Sequence, residues 1–144
     1  MSQTFTFSFL LVAPFWFLMV LLPTWHGTTR VMRSPWVAVP AALLYAALVL
    51  PGLAEVLGAV ATPTLEGVGS LLATPVGVTI AWVHFLTFDL FVGRWIYLDG
   101  RERKLHPLLV SPILVLTLLL APVGFLLYIF VRQLRPTEKV PASL

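Results

Sequence analysis

The chain has 144 residues, 59% of them apolar and only 10% charged, with a net charge of +3. Soluble globular domains run at roughly 45–50% apolar and about 25% charged, so this composition excludes a water-soluble domain, a disordered tail, a collagen and a disulfide scaffold. There is no cysteine, which removes disulfides, thiolate nucleophiles and Cys-ligated metals.

In chain order the charges separate four apolar runs, over 5–23, 36–54, 71–98 and 107–131. A helix rising 1.5 Å per residue needs about 20 residues to cross the hydrocarbon core, and each run is long enough. The expectation is an all-α fold: one integral membrane domain over 1–144, a four-helix bundle with short loops, ending in a polar tail at 133–144. The first run has no basic residue before it, and Thr24-Trp25-His26 follows it where a signal peptide would have small residues. It therefore reads as a retained helix rather than a cleaved signal. The third run is long and is expected to tilt or to end in the interface at Trp95–Tyr97. Pro14 and Pro122 lie inside runs, and each frees a carbonyl of the preceding turn. Pro122, with Gly124 two residues on, marks the expected kink.

The basic residues act as a topology signal rather than a nucleic-acid surface. Arg30 and Arg33 fall in the 24–35 loop, and Arg101, Arg103 and Lys104 in the 99–106 loop, while the 55–70 loop and the N-terminus have none. The side that bears these five residues is expected to be cytoplasmic, with both termini outside. Arg132, Arg135 and Lys139 argue the other way.

The third run carries the chemistry. His84 and Asp89 lie within about 7 Å of its middle along the axis, and Arg94 is nearer the cytoplasmic end, where it can snorkel. Ionisable groups at this depth face a bundle interior or a wet cavity. His84, Thr87, Phe91, Arg94 and Trp95 share one helical face. Asp89 shares another with Trp82, Phe85, Gly93 and Ile96, about 140° around from Arg94 at 3.6 residues per turn. Asp89 therefore needs a proton or a partner from another helix, with His26, Arg30, Tyr45, Thr117 and Tyr128 as candidates. Gly93 would let a neighbouring backbone or a flat ligand approach. Two readings stay open. One is a buried polar knot: Asp89 paired across helices, His84 bonded to a carbonyl and Arg94 at the interface. The other is an acid/base site within the membrane.

The histidines at 26, 84 and 106 show no ligand spacing, so a mixed site of His26, His84 and Asp89 is the weaker idea, and no metal or cofactor is expected. No dinucleotide, P-loop or nucleophile-elbow motif is present. The aromatic residues suit the membrane interface or a flat conjugated ligand.

The stretch Trp82-x-His84 … Asp89-Leu90-Phe91-Val92-Gly93-Arg94-Trp95-Ile96-x-x-Asp99 resembles the signature of the ABA4-like family. Pro112 … Thr117 … Ala121-Pro122-x-Gly124 … Tyr128 … Arg132 resembles its last helix, and Leu22-Pro23-x-Trp25 with Tyr45 its beginning. The resemblance covers about residues 5–132. The plant member is needed to make neoxanthin from violaxanthin in the plastid. The resemblance therefore implies a carotenoid or related isoprenoid as ligand, and isomerisation by proton transfer without a redox cofactor. In that scheme His84 or Asp89 would move the proton and Arg94 would stabilise an oxyanion. Trp82, Phe85, Gly93, Trp95, Thr117 and Tyr128 would line the ligand. This chain has no plastid transit peptide and begins almost directly in a span, so a bacterial-type member in a cytoplasmic membrane is expected. The alternative is a non-catalytic small subunit packed against a larger membrane complex, or against copies of itself. A proton-linked carrier gains little support from one short bundle without a repeat.

Overall fold

A computed structural model describes residues 1–134. The expectations for Arg135, Lys139 and the rest of the polar tail lie outside the described residues. All the regular structure among the described residues is helical: α1 (Ser2–Ser8), α2 (Ala13–Leu21), α3 (His26–Arg33), α4 (Val39–Val49), α5 (Leu53–Ala61), α6 (Leu65–Leu72), α7 (Pro75–Glu102), α8 (Pro107–Leu119) and α9 (Ala121–Val131), with short 3-10 turns. Three stretches are long and apolar enough to cross a membrane: Ser2–Leu21, Pro35–Ala61 and Pro75–Glu102.

Prolines account for the interruptions. Pro14 cannot donate to Leu10, and the chain there tightens into a 3-10 turn over Phe9–Leu11. Pro51 does the same to Ala47, and the turn is Leu50–Gly52. Two of the expected loops are in fact ordered: 24–35 contains α3, and 55–70 contains most of α5 and α6. Thr64 caps α6 by accepting from Gly67 N–H at 3.0 Å, and Thr74 caps α7 by accepting from Gly77 N–H at 2.9 Å.

The residues fall into two compact units, one of Met1–Phe15 with Pro35–Leu90 and the other of Trp16–Ser34 with the chain from Phe91 onward. The first unit buries Val12, Val37, Ala41, Val49, Ile80, Val83, Leu86 and Leu90. Phe5 stacks on Trp82 at 5.0 Å between ring centroids.

The second unit is organised around the last turns of α7. Helix α3 buries Thr28 and Met32 and exposes Arg30 and Arg33, as an amphipathic helix in the interface does. Tyr97 Oη bonds to Thr29 Oγ1 and donates to the carbonyl of Pro23, both at 2.9 Å, which pins α3 to α7. After Glu102 the chain reverses. Leu105 N–H reaches Gly100 O and Lys104 N–H reaches Arg101 O, with Lys104 at φ 53°. This is a Schellman turn with lysine where glycine is usual.

The fourth apolar run departs from expectation. It is not one helix over 107–131 but two, broken at Leu120 (φ −145°, ψ 70°) rather than kinked at Pro122, which lies in the first turn of α9. The two pack along each other. Gly124 lies so close against Thr117 that a Cβ there would overlap it, and both Val110 and Tyr128 reach Gly100. In one straight helix Val110 and Tyr128 would be about 27 Å apart. At 13 and 11 residues, α8 and α9 extend about 20 and 17 Å, too short to cross a core of about 30 Å singly. They form a hairpin that brings Arg132 back to the end of α7, so this arginine does not oppose the other basic residues but joins them.

Candidate functional site

Helix α7 carries every polar residue singled out in the third run, because 28 residues without an internal proline run unbroken for about 42 Å. Asp89 falls at its midpoint. Its carboxylate is half-buried and has no hydrogen-bond or ion-pair partner among the described residues. None of the five candidates found for it from sequence bonds to it. His84 sits in an aromatic group rather than on a carbonyl. It stacks on Phe88 at 4.8 Å, tilts toward Tyr45 at 5.4 Å and meets Phe85 edge-on at 6.1 Å. Phe85 and Phe88 are each 57% exposed. Phe85 stands one turn from Asp89 on the same helical face, so an unpaired carboxyl group adjoins an open aromatic surface. The indole N–H of Trp82, stacked on Phe5, is buried with no acceptor among the described residues.

Arg94 is engaged elsewhere. Its Nε donates to the carbonyl of Met32 at 2.5 Å and its Nη2 to that of Arg33 at 2.9 Å. A helix leaves its last carbonyls unbonded, and Arg94 caps those of α3 with a cation at the negative end of the dipole. Gly93 faces neither a backbone nor an open cleft. The Trp16 ring lies against it, and Trp16 is 3% exposed.

A polar knot exists, but it is only partly buried and forms around Asp99 instead of Asp89. Asp99 Oδ2 accepts from Tyr128 Oη at 2.6 Å, from Arg103 Nε at 2.8 Å and from Arg132 Nε at 3.2 Å, and Oδ1 accepts from Arg132 Nη2 at 3.0 Å. Trp95 packs edge-on against Tyr128 at 5.4 Å and lies under the Arg132 guanidinium at 5.2 Å. Thr117 bonds to the carbonyl of Ile113 at 2.8 Å and packs against Gly124. Trp95, Thr117 and Tyr128 thus serve the joint between the hairpin and α7. Sequence reasoning left Asp99 out of the site because it begins the charged stretch assigned to a loop. The available signal was its spacing of four from Arg103, and the same spacing of Tyr128 on α9 and Arg132 just after it. Among the described residues no three of His, Asp and Glu are grouped to hold a metal ion.

The chain is 30% identical over 129 residues to the protein ABA DEFICIENT 4, chloroplastic, of Arabidopsis thaliana, a match covering 85% of this chain. The chain spans 57% of the length of that relative. No solved structure matches. The profile of the ABA4-like family, described as ABA DEFICIENT 4-like, matches residues 3–128, the stretch that carries α7, the Asp99–Tyr128 contact and nearly all of the hairpin, and the chain belongs to that family of multi-pass membrane proteins.

Proposed function

We propose that this membrane protein binds a carotenoid or related isoprenoid and isomerises it by proton transfer, with Asp89 as the acid/base group. The observation that carries this reading is the Asp89 carboxyl group, unpaired at mid-helix beside the exposed Phe85. An ionisable group kept at this depth without a structural partner is costly. Proton exchange is the use that such a group has over an amide of the same size. In an epoxide-to-allene isomerisation the protonated carboxyl gives its proton to the epoxide oxygen as the C–O bond opens. A proton then leaves the neighbouring polyene carbon, to the carboxylate or to His84. Atoms and electrons balance without a redox cofactor. Trp82, Phe85 and Phe88 supply flat apolar surface for the polyene. Arg94 acts as a positioning residue, since its fork is occupied by α3, and Gly93, Trp95, Thr117 and Tyr128 hold the scaffold.

The test is Asp89→Asn in a carotenoid-producing host, with pigments separated by chromatography and the purified protein melted in detergent. Lost product with an unchanged melt is the expected result. Normal product would sink the assignment.

A second reading, a non-catalytic subunit of a larger membrane complex or a homo-oligomer, is favoured by one row on α7: Phe85, Phe88 and Phe91, at three-residue spacing, are 57%, 57% and 53% exposed. Mild solubilisation separates the two. Bound pigment favours the first, and a stoichiometric protein partner the second.

The same proposal places the chain in a cell membrane, that of a bacterium, with the basic end in the cytoplasm. Arg30, Arg33, Arg101, Arg103 and Arg132 all belong to the unit built on the end of α7, and the positive-inside rule then speaks with one voice. With the three stretches that are long and apolar enough to cross, the proposed orientation has the N-terminus outside and Arg132 inside, in place of two outward termini.

A further inference from the structure

The arginines at the basic end divide into two groups. Arg94, Arg103 and Arg132 are bonded to carbonyls or to Asp99. Arg30, Arg33 and Arg101 make no side-chain hydrogen bond or ion pair among the described residues. These three do not scatter over the surface. With Thr24, His26 and Thr29 they surround one open depression of about 430 Å³. No acidic side chain lines it. Glu102 lines an adjoining depression that also includes Thr29, Arg33 and Arg101.

The frame of the depression is fixed. Arg94 caps α3 and Tyr97 pins Thr29, so the two helices that present the cations cannot drift apart without breaking those bonds. The depth is also set. Arg101 follows Leu98, the last apolar residue of the third run, by three residues or about 4.5 Å, which is where a hydrocarbon core gives way to headgroups. Guanidinium forks match phosphate oxygens two at a time, and basic pockets at this level are suited to anionic headgroups.

We propose that Thr24, His26, Thr29, Arg30, Arg33 and Arg101 form a binding site for a phosphate ester, and that its source is the headgroup of an anionic phospholipid. The inference is independent of the chemistry at Asp89. A topology signal needs only positive charge on the correct side. This arrangement adds convergence of three guanidinium groups, unbonded among the described residues, on one space, with a histidine and the Thr24 hydroxyl, while the Thr29 hydroxyl donates to Tyr97 and holds the frame.

The experiment uses the full chain, purified in detergent and incubated with equal amounts of phosphatidylglycerol and phosphatidylcholine. Retained lipid is counted by mass spectrometry. The wild type should retain phosphatidylglycerol over phosphatidylcholine by on the order of tenfold. The triple variant R30Q/R33Q/R101Q should retain both equally. Arg101→Lys keeps the charge and loses the fork, and should reduce the preference several-fold. Equal retention of the two lipids by the wild type overturns the proposal whether or not any variant folds. An unchanged preference in Arg101→Lys marks a diffuse charged face and also overturns it. Inorganic pyrophosphate is the competing probe: if it displaces the lipid and raises the melting temperature of the wild type but not of the triple variant, the site belongs to a soluble phosphate and the lipid assignment falls.

Discussion

Removing the Asp99 carboxylate should open the joint between α7 and the hairpin. In Asp99→Ala, Tyr128 loses its acceptor at 2.6 Å, and Arg132 loses contacts at 3.0 and 3.2 Å. Hydrogen bonds to a charged group are worth about 1.5–3 kcal/mol each. The Arg103 bond is local to α7 and largely exchangeable for water. The Tyr128 and Arg132 contacts are what tie α9 back. Taking one such bond for Tyr128 and one for the Arg132 fork gives roughly 3–6 kcal/mol. Tyr128→Phe alone should cost about 1.5–3 kcal/mol. In the double variant Tyr128→Phe adds almost nothing, because its acceptor is already gone, so the coupling energy should approach the whole cost of Tyr128→Phe. The assay is unfolding in detergent of the two single variants and the double. A single cysteine introduced at Phe125 provides a second readout, clean because the chain has no other thiol. Costs that add to within about 0.5 kcal/mol would show that Tyr128 and Asp99 act independently, and would refute a joint made by this contact.

Three further outcomes are expected. Reporters fused at the N-terminus and directly after Arg132 should read opposite sides of the membrane, and matching readings would mean that α8 and α9 extend into a spanning helix. Gly93→Ala should destabilise by about 1–3 kcal/mol through overpacking, because the Trp16 ring beside it is 3% exposed. Gly27→Ala meets Trp25, which is 54% exposed and can swing away, so equal melting losses would contradict the packing described for Gly93. Arg94→Met should leave α7 intact but uncap α3, at about 1.5–3 kcal/mol for hydrogen bonds from a charged donor. Proteolysis after Arg30 or Arg33 in detergent reads it, and unchanged protection would rule the cap out.

Hydropathy made the membrane class and three stretches long and apolar enough to cross legible, because length and apolarity are additive along a chain. It failed at 107–131 for the same reason. A sum over twenty-five residues does not register Leu120, one apolar residue whose backbone turns the chain around. The sign that bears on it is Gly124, whose missing side chain permits contact with Thr117, but it reads equally well as part of a proline kink. Helical periodicity placed Asp89 and Arg94 on different faces, and the geometry agrees: Arg94 bonds to α3. What periodicity could not supply was the element Arg94 meets. The 24–35 segment is too polar to register as a span, and its helix is held largely by tertiary contacts. The spacing of Asp99 from Arg103 and of Tyr128 from Arg132 was visible in the sequence, but only the hairpin brings the two pairs together.

The hairpin also imposes an order of events on biogenesis. A ribosome makes Asp99 thirty-three residues before the Arg132 that bonds to it. During that interval the nascent chain presents an apolar stretch as long as a stop-transfer segment, with nothing yet to hold it folded back. Its final turn therefore decides between two topologies of the same polypeptide. A chain terminated before Tyr128 would lack both of the groups that draw α9 back to Asp99, and the insertion machinery would be left to thread the stretch across the bilayer.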